Sequence, residues 1–336
     1  MAGRAQAFSD PEVIRLASEQ FIPVAENCSP LQRQRDAKGD FFRLIAEQGH
    51  YAGRTFPTDT RQGYYAFTAD GTLLAARNSR DPRQMEEMLH TALRRWSVLA
   101  DTDDADGSAP ETLPDYAPAR PSRYPEGGLI LQLAARDLPR AVDTRKDDWR
   151  KSAWNLDYAW FSAEEARAIV PQPRLPGSRQ QLPREVIRRL ARFHLRDFVR
   201  GEPPVWPEEA IRDAELESAI LEVAGDERRL VRLALHGAVR LEWDWRWHDR
   251  QRDEDRHAES GFDAALYGEA TWDESRGAFI AFELLAAGPR WGTGQYNNRA
   301  DDLGPAPLGI AFTLAGDEPR DRTPPHTIYH PDYFGR

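Results

Sequence analysis

The chain has one cysteine and three methionines among 336 residues, and nowhere a long apolar run free of charge. A lone cysteine excludes an internal disulfide, a Cys-rich zinc site and any Cys-x-x-Cys couple. A membrane-crossing helix needs about 20 consecutive apolar residues, and a mean hydropathy of −0.70 leaves no room for one. An excess of positive charge is missing too, with 45 Lys and Arg set against 55 Asp and Glu for a net charge of −10. Nucleic-acid affinity rests on clustered positive charge, so no nucleic-acid partner is expected. The start, MAGRAQAFSDPEV, holds no apolar stretch of signal-peptide length. A cytoplasmic setting without membrane contact is therefore expected.

What is present is enough apolar surface for packed cores: 40% hydrophobic residues, with ten Trp, fourteen Phe and ten Tyr. Single cores stop growing near ~250–300 residues, so the length predicts more than one folding unit. The boundary falls where acid, Pro, Gly and Ser dominate, in ADTDDADGSAP (100–110) and YAPARPSRYPEGG (116–128). Residues 1–97 carry a net charge of +1, the linker 98–128 carries −5 and residues 129–336 carry −6. Half of the acidity thus sits in the tether.

The first lobe, residues 1–97, alternates helical and extended signals. Asp10 followed by Pro11 starts a helix with Val13, Ile14 and Leu16 on its apolar side. Phe21–Ala25 is a short strand candidate. Ser29-Pro30 opens a second helix that runs to about Gln48, with Phe41, Leu44 and Ile45 on one face and Gly49 as its stop. Two strands flank Ala69-Asp70-Gly71, a hairpin signal. Asp81-Pro82 begins a last helix in which Met85, Met88, Leu89, Leu93 and Trp96 follow a 3.6-residue period.

This order, helix–FIPVA–helix–GYYAFTADGTLLAARN–helix, resembles the thioredoxin fold from the end of its first helix onward. The resemblance covers residues 8–97 and implies the fold without the chemistry. Where that family has Trp-Cys-x-x-Cys, this chain reads Asn27-Cys-Ser-Pro-Leu31. Where it has a cis-proline before the hairpin, the chain reads Thr60-Arg-Gln-Gly63. Dithiol–disulfide exchange needs a resolving partner and a shaped groove, so it is not expected.

The second lobe, residues 129–336, reads as mainly antiparallel β with a few helices, curled into a barrel-like or sandwich core. Leu129–Ala135 is its first strand, and helices are expected over Ser162–Val170 and Pro183–Arg196. Leu216, Ile220 and Val223, spaced by four and then three, predict a further short helix ending at Gly225. Leu230–His248 stays extended, with a bulge or bend expected at Gly237. Phe262–Trp272 and Phe279–Ala286 form a hairpin about Asp273–Gly277, and Leu308–Leu314 closes the series.

Five places could carry chemistry or binding. Cys28 sits where a strand end would meet a helix start, so it is either a single-thiol nucleophile or redox element, or an incidental small residue. In Phe193-His-Leu-Arg-Asp-Phe-Val-Arg200, a continuing helix would set His194 against Asp197, with Arg200 one turn on. That trio makes a base, an orienter and an anion clamp, or an ordinary ion-pair network at a helix end. In Leu241-Glu-Trp-Asp-Trp-Arg-Trp-His248, Trp243, Trp245 and Trp247 share one strand face, and His248 lies on the other. Three indoles form a stacking floor for a ring, or the buried side of a sheet.

Gly288–Arg299 has a Gly-x-Gly fragment without a following helix, so it reads as a long loop rather than a phosphate cradle. Its Arg290, Trp291, Gln295, Asn297 and Asn298 line a pocket mouth or simply connect two strands. His326 and His330 have metal-ligand spacing, but Pro324, Pro325 and Pro331 exclude the helix that would place both rings on one face. No metal and no cofactor are expected. The leading expectation is a two-domain binding or interaction module for an unidentified small molecule or protein. Its rivals are an enzyme using His194, Asp197 and Arg200, and a redox element at Cys28.

Overall fold

The computed structural model describes residues 7–26, 28–32, 34–49, 61–100, 124–143, 145, 147–225, 229–249, 253–316, 321, 323–328 and 330–334. The chain divides into two compact units that part between residues 122 and 123. Most of the expected linker lies outside the described residues. No helix among them is long and apolar enough to cross a membrane.

In the first unit, α1 (Pro11–Gln20) begins as its sequence dictates, because the Asp10 carboxylate accepts the backbone N–H groups of Glu12 and Val13. Residues 21–26 are not a strand. Ile22 and Val24 are exposed there, at 93% and 73%, so this apolar run finds no sheet to enter. The expected second helix is two. A four-residue α2 (Cys28–Leu31) is followed by α3 (Ala37–Gln48), which is capped by Asp36 rather than Ser29. The hairpin of β1 (Tyr64–Phe67) and β2 (Leu73–Arg77) turns at Gly71, whose φ of +90° suits a residue without a Cβ. Then α4 (Pro82–Ala100) buries Met85, Met88, Leu89 and Ala92 against Val13 and Leu16 of α1 and Leu74 and Ala75 of β2. Trp96 ends outside this core, 43% exposed.

The second unit is one open sheet of eight strands, every neighbouring pair antiparallel. Its strands are β3 (Leu129–Asp137), β4 (Trp154–Phe161), β5 (Arg179–Gln181), β6 (Ile211–Ala224), β7 (Leu230–Asp249), β8 (Glu254–Asp273), β9 (Ala278–Gly292) and β10 (Ala306–Leu314). They lie in the order β4-β3-β10-β9-β8-β7-β6-β5. The edges β4 and β5 do not pair with each other, so the sheet is neither a closed barrel nor half of a sandwich among the described residues. One face packs on α5 (Ala163–Ala168), α6 (Arg184–His194) and the segment after α6 in a continuous core that includes Leu133, Leu190, Phe198, Leu235, Leu266, Leu284 and Ile310. Each such side chain contributes about 1.5–3 kcal/mol by leaving water.

Three details correct the sequence reading. Residues 216–223 are strand, not helix. Leu216, Ser218 and Ile220 alternate inward, then the register slips between Ile220 and Glu222 and returns Val223 to the inner face opposite Val231. A bulge inside a period-2 pattern therefore produces the four-then-three spacing of a helix. Gly237 marks no bend. It pairs in register with Leu216 and Leu266, and a Cβ there would meet the Glu215 carbonyl oxygen at 2.1 Å. The charged run 249–259 reads from the sequence as a solvated hairpin loop, but β8 already starts at Glu254.

The exposed side of β4 is blunted chemically. Its outward N–H groups donate to its own side chains and to the chain's end: Leu156 to Asn155, Tyr158 to Asp157, and Trp160 to the Tyr333 hydroxyl. With those donors occupied, the edge offers little to a foreign strand.

Candidate functional site

Several chain segments converge on one end of the sheet's inner face. Asp137, the last residue of β3, lies opposite the buried Leu308, and Arg290 of β9 lies opposite Phe262. The segment leaving α6 brings Asp197 and Arg200, and the β9–β10 connection brings Arg299, Asp301 and Asp302. The loop after β3 adds Arg140, Asp143 and Arg145. Arg299, completely buried, is the hub. It donates in parallel to Asp137 at 2.7 and 2.8 Å and to Asp197 at 2.7 and 2.8 Å, with a fifth bond to Asp302 at 3.0 Å. Arg200 reaches Asp302 at 3.1 Å, Asp301 at 3.3 Å and Asp137 at 3.4 Å. Arg140 grips Asp302 with two bonds of 2.7 and 2.9 Å, Arg145 bridges Asp137 and Asp143, and Arg290 also bonds Asp302.

The electrostatics of this cluster are self-cancelling. Five guanidiniums face five carboxylates. Burial alone would raise Asp137 and Asp302. Hydrogen bonds and charge from Arg299 on the first, and from Arg140, Arg290 and Arg299 on the second, more than offset it and hold both below the usual carboxylate range. Burial likewise opposes the charge on Arg299, but Asp197 and Asp137 push its affinity for the proton above normal. Carboxylates locked in the ionised form and guanidiniums that never release a proton do not perform acid–base work at neutral pH. The cluster is a clamp that ties three loops to the sheet.

The expected trio does not form. The α6 helix stops at His194, with Leu195 already out of helical geometry, so the three-residue spacing to Asp197 loses its meaning. Asp197 and Arg200 enter the clamp, whereas His194 turns into a separate, fully buried pocket. There the Trp160 N–H donates to the Tyr333 hydroxyl, which lies 3.0 Å from His194 Nε2. The hydroxyl proton therefore goes to Nε2, which leaves the imidazole neutral with its own proton on Nδ1. That Nδ1 finds no partner among the described residues. Burial, with Arg189 and Arg196 nearby, holds His194 well below its ordinary value. In the same region Asp157 is raised by burial and Arg196 lowered by it, the two standing 3.9 Å apart. A base sealed from solvent, without a carboxylate orienter, has no substrate to reach.

The residues expected to bind a ligand divide between the two faces of the sheet. Trp243, Trp245 and Trp247 continue the inner face beyond Leu241, half-buried. Trp245 lies against Trp206, ring centres 5.4 Å apart and planes 36° apart, and Arg256 stands 6.0 Å over Trp247. The loop after β9 crosses this row at Gly294, where an added Cβ would come within 3.4 Å of the Trp245 ring. Asn297 shapes the loop by accepting from the Thr293 hydroxyl and the Gly294 N–H, and Asn298 fastens it by donating to the Arg200 carbonyl. Gln295 donates to the hydroxyl of Tyr296, whose side chain is 65% exposed.

Trp291 instead lies on the opposite face over Gly261, a position that any Cβ at 261 would occupy at 2.1 Å from the ring. His248 is also on that outer side, exposed beside Asp255 at 3.0 Å and Asp253 at 3.4 Å. Arg290 is buried in the clamp. Of the expected ligand set, Trp243, Trp245, Gln295 and Asn297 come together, while Arg290, Trp291 and His248 do not join them. Cys28 opens the four-residue α2 and is half-buried, a single turn with little dipole to offer a thiolate.

Sequence reasoning passed over Asp137, Arg140, Arg145, Arg299, Asp302, Trp206 and Tyr296. An acid ending an apolar strand, and an Arg-x-Asp-Asp run in a loop, were the available signals. A depression of about 470 Å³ lined by Gln172, Pro173, Arg174, Leu175, Arg229 and Glu274 contains none of these residues. A scan of protein-family models, a search of curated proteins and a search of solved structures each found no match.

Proposed function

We propose that the chain is a binding protein rather than a catalyst, and that its second unit holds a neutral ring, most simply a sugar, on the indole row. The carrying observation is that Trp243, Trp245 and Trp247 are only partly buried at the end of the sheet, beside a pinned polar loop. Indole faces stack on the C–H face of a sugar, and the Gln295 amide and Tyr296 hydroxyl supply hydrogen bonds at its edge. The charged groups nearest the row are spent on each other, which favours an uncharged ligand. The sealing of His194 counts against the enzyme reading, and the lone sulfur counts against dithiol exchange.

In this reading the first unit is a thioredoxin-like scaffold without its redox couple. Its helices, Asp-Gly hairpin and long amphipathic last helix support that relation. The missing strand at 21–25 is the departure from it.

Tryptophan fluorescence and calorimetry with glucose, galactose, N-acetylglucosamine and their trimers test the proposal. Saturable binding that weakens tenfold or more in Trp245→Ala, with the fold intact by circular dichroism, is the expected result. No saturable binding by any of the six sugars, or equal affinity in the variant, would overturn it.

A further inference from the structure

We infer that the first unit carries a divalent transition-metal site built from Glu12 of α1 and Glu86 and His90 of α4. Glu86 and His90 are four residues apart and share a helix face. Glu12, in the first turn of α1, comes to the same place because the two helices share a core through Val13, Leu16, Met85 and Leu89. One ligand atom from each side chain lies within 4.8 Å of the other two, and Glu86 Oε1 stands 3.7 Å from His90 Nε2. Ligands bound about 2.0–2.2 Å from a zinc ion sit roughly 3–4 Å apart, so side-chain rotation alone closes the remaining gap. The core already fixes the helix backbones.

The donor chemistry selects the ion. Two carboxylates cancel a 2+ charge, and one imidazole favours zinc, cobalt or nickel over the oxygen-seeking calcium and magnesium. Three protein ligands leave a fourth position to water. The competitor is Arg15, which donates to both oxygens of Glu12 at 2.6 and 2.9 Å. It also donates to Glu19 at 2.9 Å, so it keeps a partner when Glu12 turns to a metal. All of these side chains are half-buried or exposed, where an ion pair contributes little and yields easily.

The full-length protein is titrated with zinc by calorimetry and with cobalt by visible absorption, alongside His90→Gln, Glu86→Gln and Arg15→Ala. The expected result is one site of micromolar affinity, weakened tenfold or more in the first two variants. Arg15→Ala should tighten it several-fold, because its competitor is gone. Circular dichroism confirms that the variants fold, and none of them touches the indole row, so this test is independent of sugar binding. Wild-type stoichiometry and affinity in the His90→Gln, Glu86→Gln double variant would place any bound metal elsewhere and overturn the inference.

Discussion

Two polar regions lie buried on either side of the end of α6, and they solve the same problem in opposite ways. Around Arg299, five positive and five negative groups cancel, and charge is kept by reciprocity. All five protons of Arg299 itself have carboxylate acceptors, while the Nε groups of Arg140, Arg200 and Arg290 find none among the described residues. Around His194 and Tyr333, burial and the neighbouring Arg189 and Arg196 push the imidazole toward its neutral form. The imidazole is neutral, Asp157 is driven toward its protonated form by burial, and one ring N–H is left without a partner among the described residues. The first region binds three loops to the sheet and the second binds the chain's C-terminal turn (Pro331–Phe334) to β4. Removing a partner strands ionised carboxylates in the first region and neutral groups in the second, and a stranded buried charge costs more. The clamp should therefore be the costlier one to break, and the neutral pocket the more sensitive to pH.

The largest effect is expected at the hub. Arg299→Met leaves Asp137 and Asp197 buried with much of their compensation gone, a change that costs about 3–5 kcal/mol. Urea unfolding should show a lower midpoint with an unchanged slope. Arg299→Lys should recover little, because one ammonium cannot make paired bonds to two carboxylates at once. A loss under about 1 kcal/mol in the Met variant would mean that the clamp is ornament.

Next comes Tyr333→Phe, which deletes one oxygen from the neutral pocket. The Trp160 N–H and His194 Nε2 both lose their partner while staying buried, so a loss of about 1–3 kcal/mol is expected. It should exceed the effect of Tyr296→Phe, whose hydroxyl is open to water.

The pH dependence separates the two regions. His194 has a folded-state value well below its unfolded one near 6.5, so the stability it permits is complete above about pH 6.5. That stability falls as the pH drops, by at most ~1.4 kcal/mol per unit for one proton. Asp137 and Asp302 are depressed in the folded state, so their contribution is complete above their unfolded values near ~3.9 and is lost only below that. Stability measured from pH 7 to 3 should thus decline in two stages, with Asp157, raised by burial, offsetting part of the loss below its folded value. In His194→Phe the decline between pH 6.5 and 5 should shallow, leaving the smaller share of His326, which burial also lowers. An unchanged slope in that window would mean that His194 is not neutral in the fold.

Five strands of the second unit, β3 and β7 to β10, were legible because alternation and hairpin turns act locally, whereas β4 and β5 were passed over and β6 was read as a helix. Asp10-Pro11, the Asp-Gly hairpin, Asp273–Gly277 and the helix start at Ser162 are all where the residues put them. The indole row was legible for the same reason, as three alternate positions on one strand. The clamp was not. Asp137, Asp197 and Arg299 are separated by 60 to 162 residues in the chain, and only the placement of β3 beside β10 brings them together. His194 and Asp197 read as partners because spacing assumes a continuing helix, and α6 ends first. The Val223 misreading has the same origin: a local period was taken at face value where a bulge had altered it.

The smallest expected effect completes the comparison on the same sheet. Arg232, on the solvent side of β7, also stands between two acids, Glu222 at 3.1 Å and Glu269 at 3.8 Å. Its side chain is half-exposed, and so are its partners. Water replaces whatever it loses, and holding three long side chains in register costs entropy. Arg232→Ala should therefore change stability by no more than about 0.5 kcal/mol, and that little should vanish in 1 M salt as screening shortens to ~3 Å. The cost at Arg299 should persist in the same salt, because its carboxylates are out of reach of counter-ions. If both arginines lost their effect on adding salt, the clamp would be open to solvent, and the account of it as a sealed, reciprocal network would fail.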